Sequence, residues 1–170
     1  MKVKILYIIM ATVVSGYLSG SFLFAEFITP YAAGVYFGIA TALAFRYEYR
    51  TKISKLILWV AASCLSWFAA FMADSFIMSS NSYEPFPAFV SAGLLGSLLL
   101  ATSYSELINK LSPLKVIVIG AIGTAAAVLM YVIIGPDTIS SKERYVTSFI
   151  IWQLAVALAL DLPYLGTKKA

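Results

Sequence analysis

The chain contains no histidine and only one cysteine, Cys64. Without imidazole it has no His-ligated haem, no His-based zinc site, no Ser–His or Cys–His nucleophile and no histidine proton relay. A lone thiol builds neither a disulfide framework nor a cysteine metal site within one chain, so Cys64 is expected as a small buried hydrophobe. Gly-x-Gly-x-x-Gly and Walker patterns are also missing, which removes the common nucleotide cradles. Charge is scarce as well: 12% of 170 residues, about half the share usual in soluble domains. No polar link is long enough for a soluble catalytic domain. These absences point away from an enzyme and imply no cofactor and no metal.

What is present is apolar. Hydrophobic residues make up 61% of the chain and fall in long runs, with most of the charge in the short links between them. Runs of about 20 largely uncharged residues read as bilayer-spanning helices, because 1.5 Å of rise per residue then covers a ~30 Å hydrocarbon core. The expected fold is therefore all-α, a polytopic membrane helix bundle forming a single integral membrane domain over residues 1–170. Six spans are expected, over 5–24, 27–45, 55–78, 87–102, 114–134 and 145–165. Thr29-Pro30 and Ser112-Pro113 are N-cap plus first-turn proline signals opening the second and fifth. Ser140 with Glu143 fits a capping box for the sixth. Gly135-Pro136 stops the fifth, and Pro163 ends or kinks the sixth. Only Glu26 separates the first two spans. The basic start Met1–Lys4 resembles a secretory leader, but its apolar run exceeds the usual ~7–15 residues and no convincing small-x-small cleavage site precedes Glu26; it reads as the first span.

Charge sets the expected orientation. With the N-terminus cytoplasmic, Lys142 and Arg144 are outside and the other ten of the 12 Lys and Arg are inside. Such a positive-inside bias across short loops favours six spans over four, with both termini cytoplasmic in a bacterial inner (plasma) membrane. The net charge of +4 is thereby a topology signal, and nucleic acid is not an expected partner. The link Arg46–Lys55, with Tyr47 and Tyr49, reads as a stop-transfer anchor that also suits anionic headgroups.

Small residues mark packing surfaces. Gly16/Gly20 and Gly34/Gly38 are Gly-x-x-x-Gly pairs, extended by Ser15/Ser19 and Gly93/Ser97, and such spacing lets two backbones approach closely. The stripes serve packing within one protomer, a homo-oligomer, or a partner membrane subunit. Residues 15–25 align faintly with 91–101, matching Gly20 to Gly96 and Ser21 to Ser97. That alignment fits a 3+3 inverted repeat of the transporter kind, although membrane helices share so small an alphabet that coincidence produces such matches too.

Polar residues within apolar spans are the functional candidates. Trp59, Ser63, Trp67, Ala70 and Asp74 share one face of the third span. Gln153, Ala157 and Asp161 form a looser stripe on the sixth, with Trp152 beside it. Ser63, Trp67, Asp74, Trp152, Gln153 and Asp161 are thus the expected ligand-binding set, walling a cavity for a small, mostly apolar molecule. Alternatively the acids cap helices at the interface and the aromatics fill the core. Asp74 and Asp161 are expected on opposite sides of the membrane, which excludes a paired-aspartate protease. The functional expectation is a small-molecule binding or transport protein: a channel, a carrier or a substrate-capture subunit. In size and topology alone the chain resembles the substrate-capture subunits of energy-coupling-factor transporters, with no motif that carries over. The alternative is a non-enzymatic interaction subunit: an assembly partner, an immunity protein or a membrane-stress sensor.

Overall fold

The computed structural model describes residues 2–21, 29–49, 51–80, 85–134 and 142–161. They form six helices: α1 (Lys2–Ser21), α2 (Thr29–Tyr49), α3 (Ile53–Ser80), α4 (Pro85–Leu107), α5 (Pro113–Ile134) and α6 (Lys142–Asp161). Three stretches are long and apolar enough to cross a membrane, Ile53–Met78, Phe86–Leu107 and Pro113–Ile133; α1 and α6 carry the shorter apolar stretches Ile5–Ser21 and Val146–Asp161. Large apolar side chains such as Leu65, Ile57 and Val132 are exposed on the outside. Hydrocarbon solvates such a surface without cost, whereas water does not.

Helix ends follow local chemistry. At the start of α5 the Lys115 amide donates to Ser112 Oγ at 3.3 Å and the Val116 amide to the Ser112 carbonyl at 3.1 Å, so Ser112 satisfies donors that the first turn leaves orphaned. α2 and α4 each run beyond their expected ends, to Tyr49 and Leu107. A helix satisfies its own backbone hydrogen bonds, so it continues past the end of an apolar run into polar residues; the length of the run does not mark where the helix stops. The signals at Ser140, Gly135-Pro136 and Pro163, and the Glu26 break, lie outside the described residues.

Each helix packs on its neighbours in sequence, and α6 returns to pack on α1, closing a ring. The helices alternate in direction. A Cβ added at Gly16 would meet Ile150 and one at Gly20 would meet Val146, so α6 descends as α1 rises; Gly34 against Cys64 and Gly38 against Val60 show the same for α2 and α3. The approach at α1–α6 is close enough to require glycine. The added Cβ would lie 2.6 Å from Ile150 Cα at Gly16 and 2.5 Å from Val146 Cα at Gly20. Both Gly-x-x-x-Gly pairs therefore face helices of the same chain. Gly96 sits against Ala70 and beside the Trp152 ring.

The core is layered by aromatics. Phe45, Trp59 and Tyr104, all buried, meet edge-to-face with centroids 5.0–6.0 Å apart, the arrangement ring quadrupoles favour. The Trp59 indole donates to Thr41 Oγ1 at 2.9 Å, and Thr41 donates to the Phe37 carbonyl at 2.7 Å. A buried indole N–H in an apolar bundle needs such an acceptor.

Candidate functional site

Midway along the ring, α3 reaches across the interior to α6. The Trp67 ring stacks on Phe149 at 5.3 Å and meets Trp152 edge-on at 4.8 Å. Trp152 donates its indole N–H to the Gly123 carbonyl of α5 at 3.1 Å. One residue on, Gln153 turns toward α1 and donates from Nε2 to Ser19 Oγ at 3.0 Å. Two tryptophans and a glutamine thus connect α1, α3, α5 and α6.

Most buried hydroxyls in this bundle satisfy themselves within their own helix. Thr12, Ser19, Ser66 and Ser97 each donate to the carbonyl four residues back, as Ser and Thr in membrane helices do. A different set finds no partner: Ser15, Ser63 and Ser148 Oγ, Gln153 Oε1 and the Trp67 indole N–H. Ser63, Ser148 and Gln153 are fully buried, and no charged side chain is buried among the described residues. An unpaired buried polar atom costs about 1–3 kcal/mol, so these groups are the ones in the bundle whose hydrogen bonding the protein itself does not complete.

Of the residues singled out from the sequence, Trp67 and Trp152 are in contact, Gln153 adjoins them, and Ser63 lies one turn before Trp67. Ser63 faces α2, with its Cβ 3.2 Å from the position of a Cβ at Gly38. The single stripe on α3 is shared among neighbours: Trp59 goes to α2 and α4, Ser63 to α2, Trp67 to α6. Asp74 and Asp161 are not part of this centre. From the Trp67–Trp152 level α3 and α6 run in opposite directions, placing Asp74 about 10 Å one way and Asp161 about 13 Å the other. Both are partly buried, and the Leu160 carbonyl beside Asp161 accepts from Lys115 Nζ at 3.3 Å.

Sequence reasoning gave Ser15 and Ser19 only a packing role and passed over Ser148. The signal available was their register: Ser148 and Trp152 are one turn apart on one face of α6.

Two hollows open on the outer flank, one of about 430 Å³ between α1 and α2 and one of about 170 Å³ between α2 and α3. Neither is lined by Ser63, Trp67 or Gln153.

The chain is thus an all-α bundle with three helices able to cross a membrane. No protein-family model matches it, and no curated protein or solved structure is significantly similar to it.

Proposed function

We propose that the protein is a membrane-embedded receptor or carrier for a small neutral molecule, held between α1, α3 and α6. Six spans with both termini cytoplasmic provide the setting, the positive-inside distribution being its support. The observation that carries the reading is the set of buried, unpartnered groups at Trp67, Ser148 and Gln153 on and next to the Trp67–Trp152 pair. Aromatic faces supply apolar contact, and the hydroxyl, indole and amide groups fix orientation. Asp74, toward one end of the bundle, suits a ligand that also offers a hydrogen-bond donor. A 3+3 repeat accords with Gly20 packing on α6 and its counterpart Gly96 on α3.

Native mass spectrometry of the gently extracted protein tests this. Wild type retains a non-lipid ligand; Trp67→Phe, which removes the unpartnered N–H together with the fused second ring while keeping one ring against Phe149 and Trp152, lowers retention roughly fivefold or more in protein that still folds, and Asp74→Asn, outside this centre, lowers it less. No retained small molecule in wild type, or equal retention in Trp67→Phe, refutes the reading.

A second reading, an interaction subunit, draws support from the packed centre and from the two hollows that open outward. It expects a partner subunit and no ligand in the same spectra.

A further inference from the structure

The two outer hollows lie on either side of one ridge. Ile39 and Leu43, on the exposed face of α2, line both. The α1–α2 groove is walled by Met10, Val14 and Leu18, and the α2–α3 groove by Ile57 and Val60; their surfaces are almost wholly apolar. At the end of the ridge stands Arg46, in the last turn of α2, which is exposed and lines the α2–α3 groove. Ile53 and Leu56 of that groove alternate with the exposed Lys52 and Lys55 at the start of α3.

From these features we infer that this flank is a seat for one anionic diacyl phospholipid, straddling α2 with an acyl chain in each groove and its phosphate at Arg46. The inference rests on the transmembrane placement above and is independent of the interior ligand. Three properties select this occupant. Two apolar grooves sharing one ridge fit two chains joined at one end. The α2–α3 groove ends at a cation, Arg46, on the ridge that both grooves share, which suits a negative headgroup and not the neutral flank of a partner helix; an arginine fork matches phosphate oxygens. Along α2 the grooves run from Tyr36 to Leu43 and from Ile39 to Arg46, about 10 Å of helix each, so they seat the headgroup-proximal part of two chains within one leaflet. Positive-inside orientation puts that leaflet on the cytoplasmic face, where anionic lipids attract basic residues.

Delipidated protein in non-ionic detergent is titrated with dioleoylphosphatidylglycerol, dioleoylphosphatidylcholine and single-chain oleoyl-lysophosphatidylglycerol, and bound lipids are counted by native mass spectrometry. One phosphatidylglycerol should bind at least fivefold more tightly than phosphatidylcholine, about the factor one basic residue supplies near a membrane surface, and more tightly than the single-chain lipid. Arg46→Gln, an exposed substitution that leaves packing intact, should reduce the headgroup preference to within about twofold. Ala40→Phe, filling the α1–α2 groove, should weaken both two-chain lipids while leaving the single-chain lipid unchanged. Equal binding of the two wild-type headgroups, an unchanged preference in Arg46→Gln, or a dimer whose formation displaces lipid overturns the inference. Reporter fusions that place residues 50–52 outside overturn the transmembrane placement instead.

Discussion

Gly20→Ala is the sharpest test of how the ring closes. The new methyl would lie 2.5 Å from Val146 Cα, 2.8 Å from Val146 N and 2.9 Å from Val146 Cγ2. Two of those atoms are backbone, so no rotamer change makes room; α1 must move about 1 Å away from α6 to reach ordinary contact at ~3.5–4.0 Å. At such a gap each atom pair loses a quarter to a half of its ~0.1–0.2 kcal/mol. Over as many pairs as one buried leucine makes, about 50, the loss is about 3 kcal/mol. The Gln153–Ser19 hydrogen bond, at 3.0 Å, lies beside Gly20 and lengthens with the same movement, adding about 0.6 kcal/mol. Reversible unfolding in mixed detergent micelles should therefore report a destabilisation of about 3–4 kcal/mol. Gly96→Ala is the matched control. Its Cβ would meet the Ala70 methyl at 3.1 Å and the Trp152 ring at an ordinary 3.6 Å, so α3 and α4 need part by only a few tenths of an ångström, and the effect is about 1 kcal/mol, at the low end of overpacking. A Gly20→Ala protein within about 1 kcal/mol of wild type, or one no worse than Gly96→Ala, would show that α1 and α6 are not in backbone contact.

Two further outcomes follow from the core and from the charge distribution. Thr41→Val preserves shape but removes the acceptor of the Trp59 indole, and leaving that buried N–H unpaired should destabilise the fold by about 1–3 kcal/mol; Thr41→Ser should restore most of the loss, and equal unfolding midpoints for Val and Ser would contradict it. Reporter fusions after Ala170 and within the link Pro136–Arg144 should read cytoplasmic and external respectively, and an external reading at Ala170 would refute six spans with both termini cytoplasmic.

Much of the candidate site was visible along the chain. Ser63, Trp67, Trp152 and Gln153 stand out because polar and indole groups are few in these apolar runs and because their spacing puts them on helical faces. Asp74 and Asp161 stood out for the same reason, and antiparallel α3 and α6 carry them to opposite ends. For Ser148 only its register with Trp152 pointed to the centre, and Ser15 carried no such signal, since a serine that bonds its own helix and one that finds no partner look alike in sequence.

What the sequence by itself determined is the helices: runs of apolar residues long enough to bury their own backbone hydrogen bonds, opened by proline signals such as Ser112-Pro113. Which way each helix faces was decided only by the tertiary structure. In a soluble helix the apolar stripe points inward, but here the outside and the core are both apolar, so Leu65 faces out and Leu100 is buried with nothing in their chemistry to tell them apart. Small residues announced close contacts without naming partners, because a glycine stripe fits any smooth neighbour. That Gly20 met Val146, and that Trp67 crossed to Trp152, depended on ring closure between α1 and α6, residues more than a hundred positions apart, whose pairing is fixed by packing and not by any local pattern.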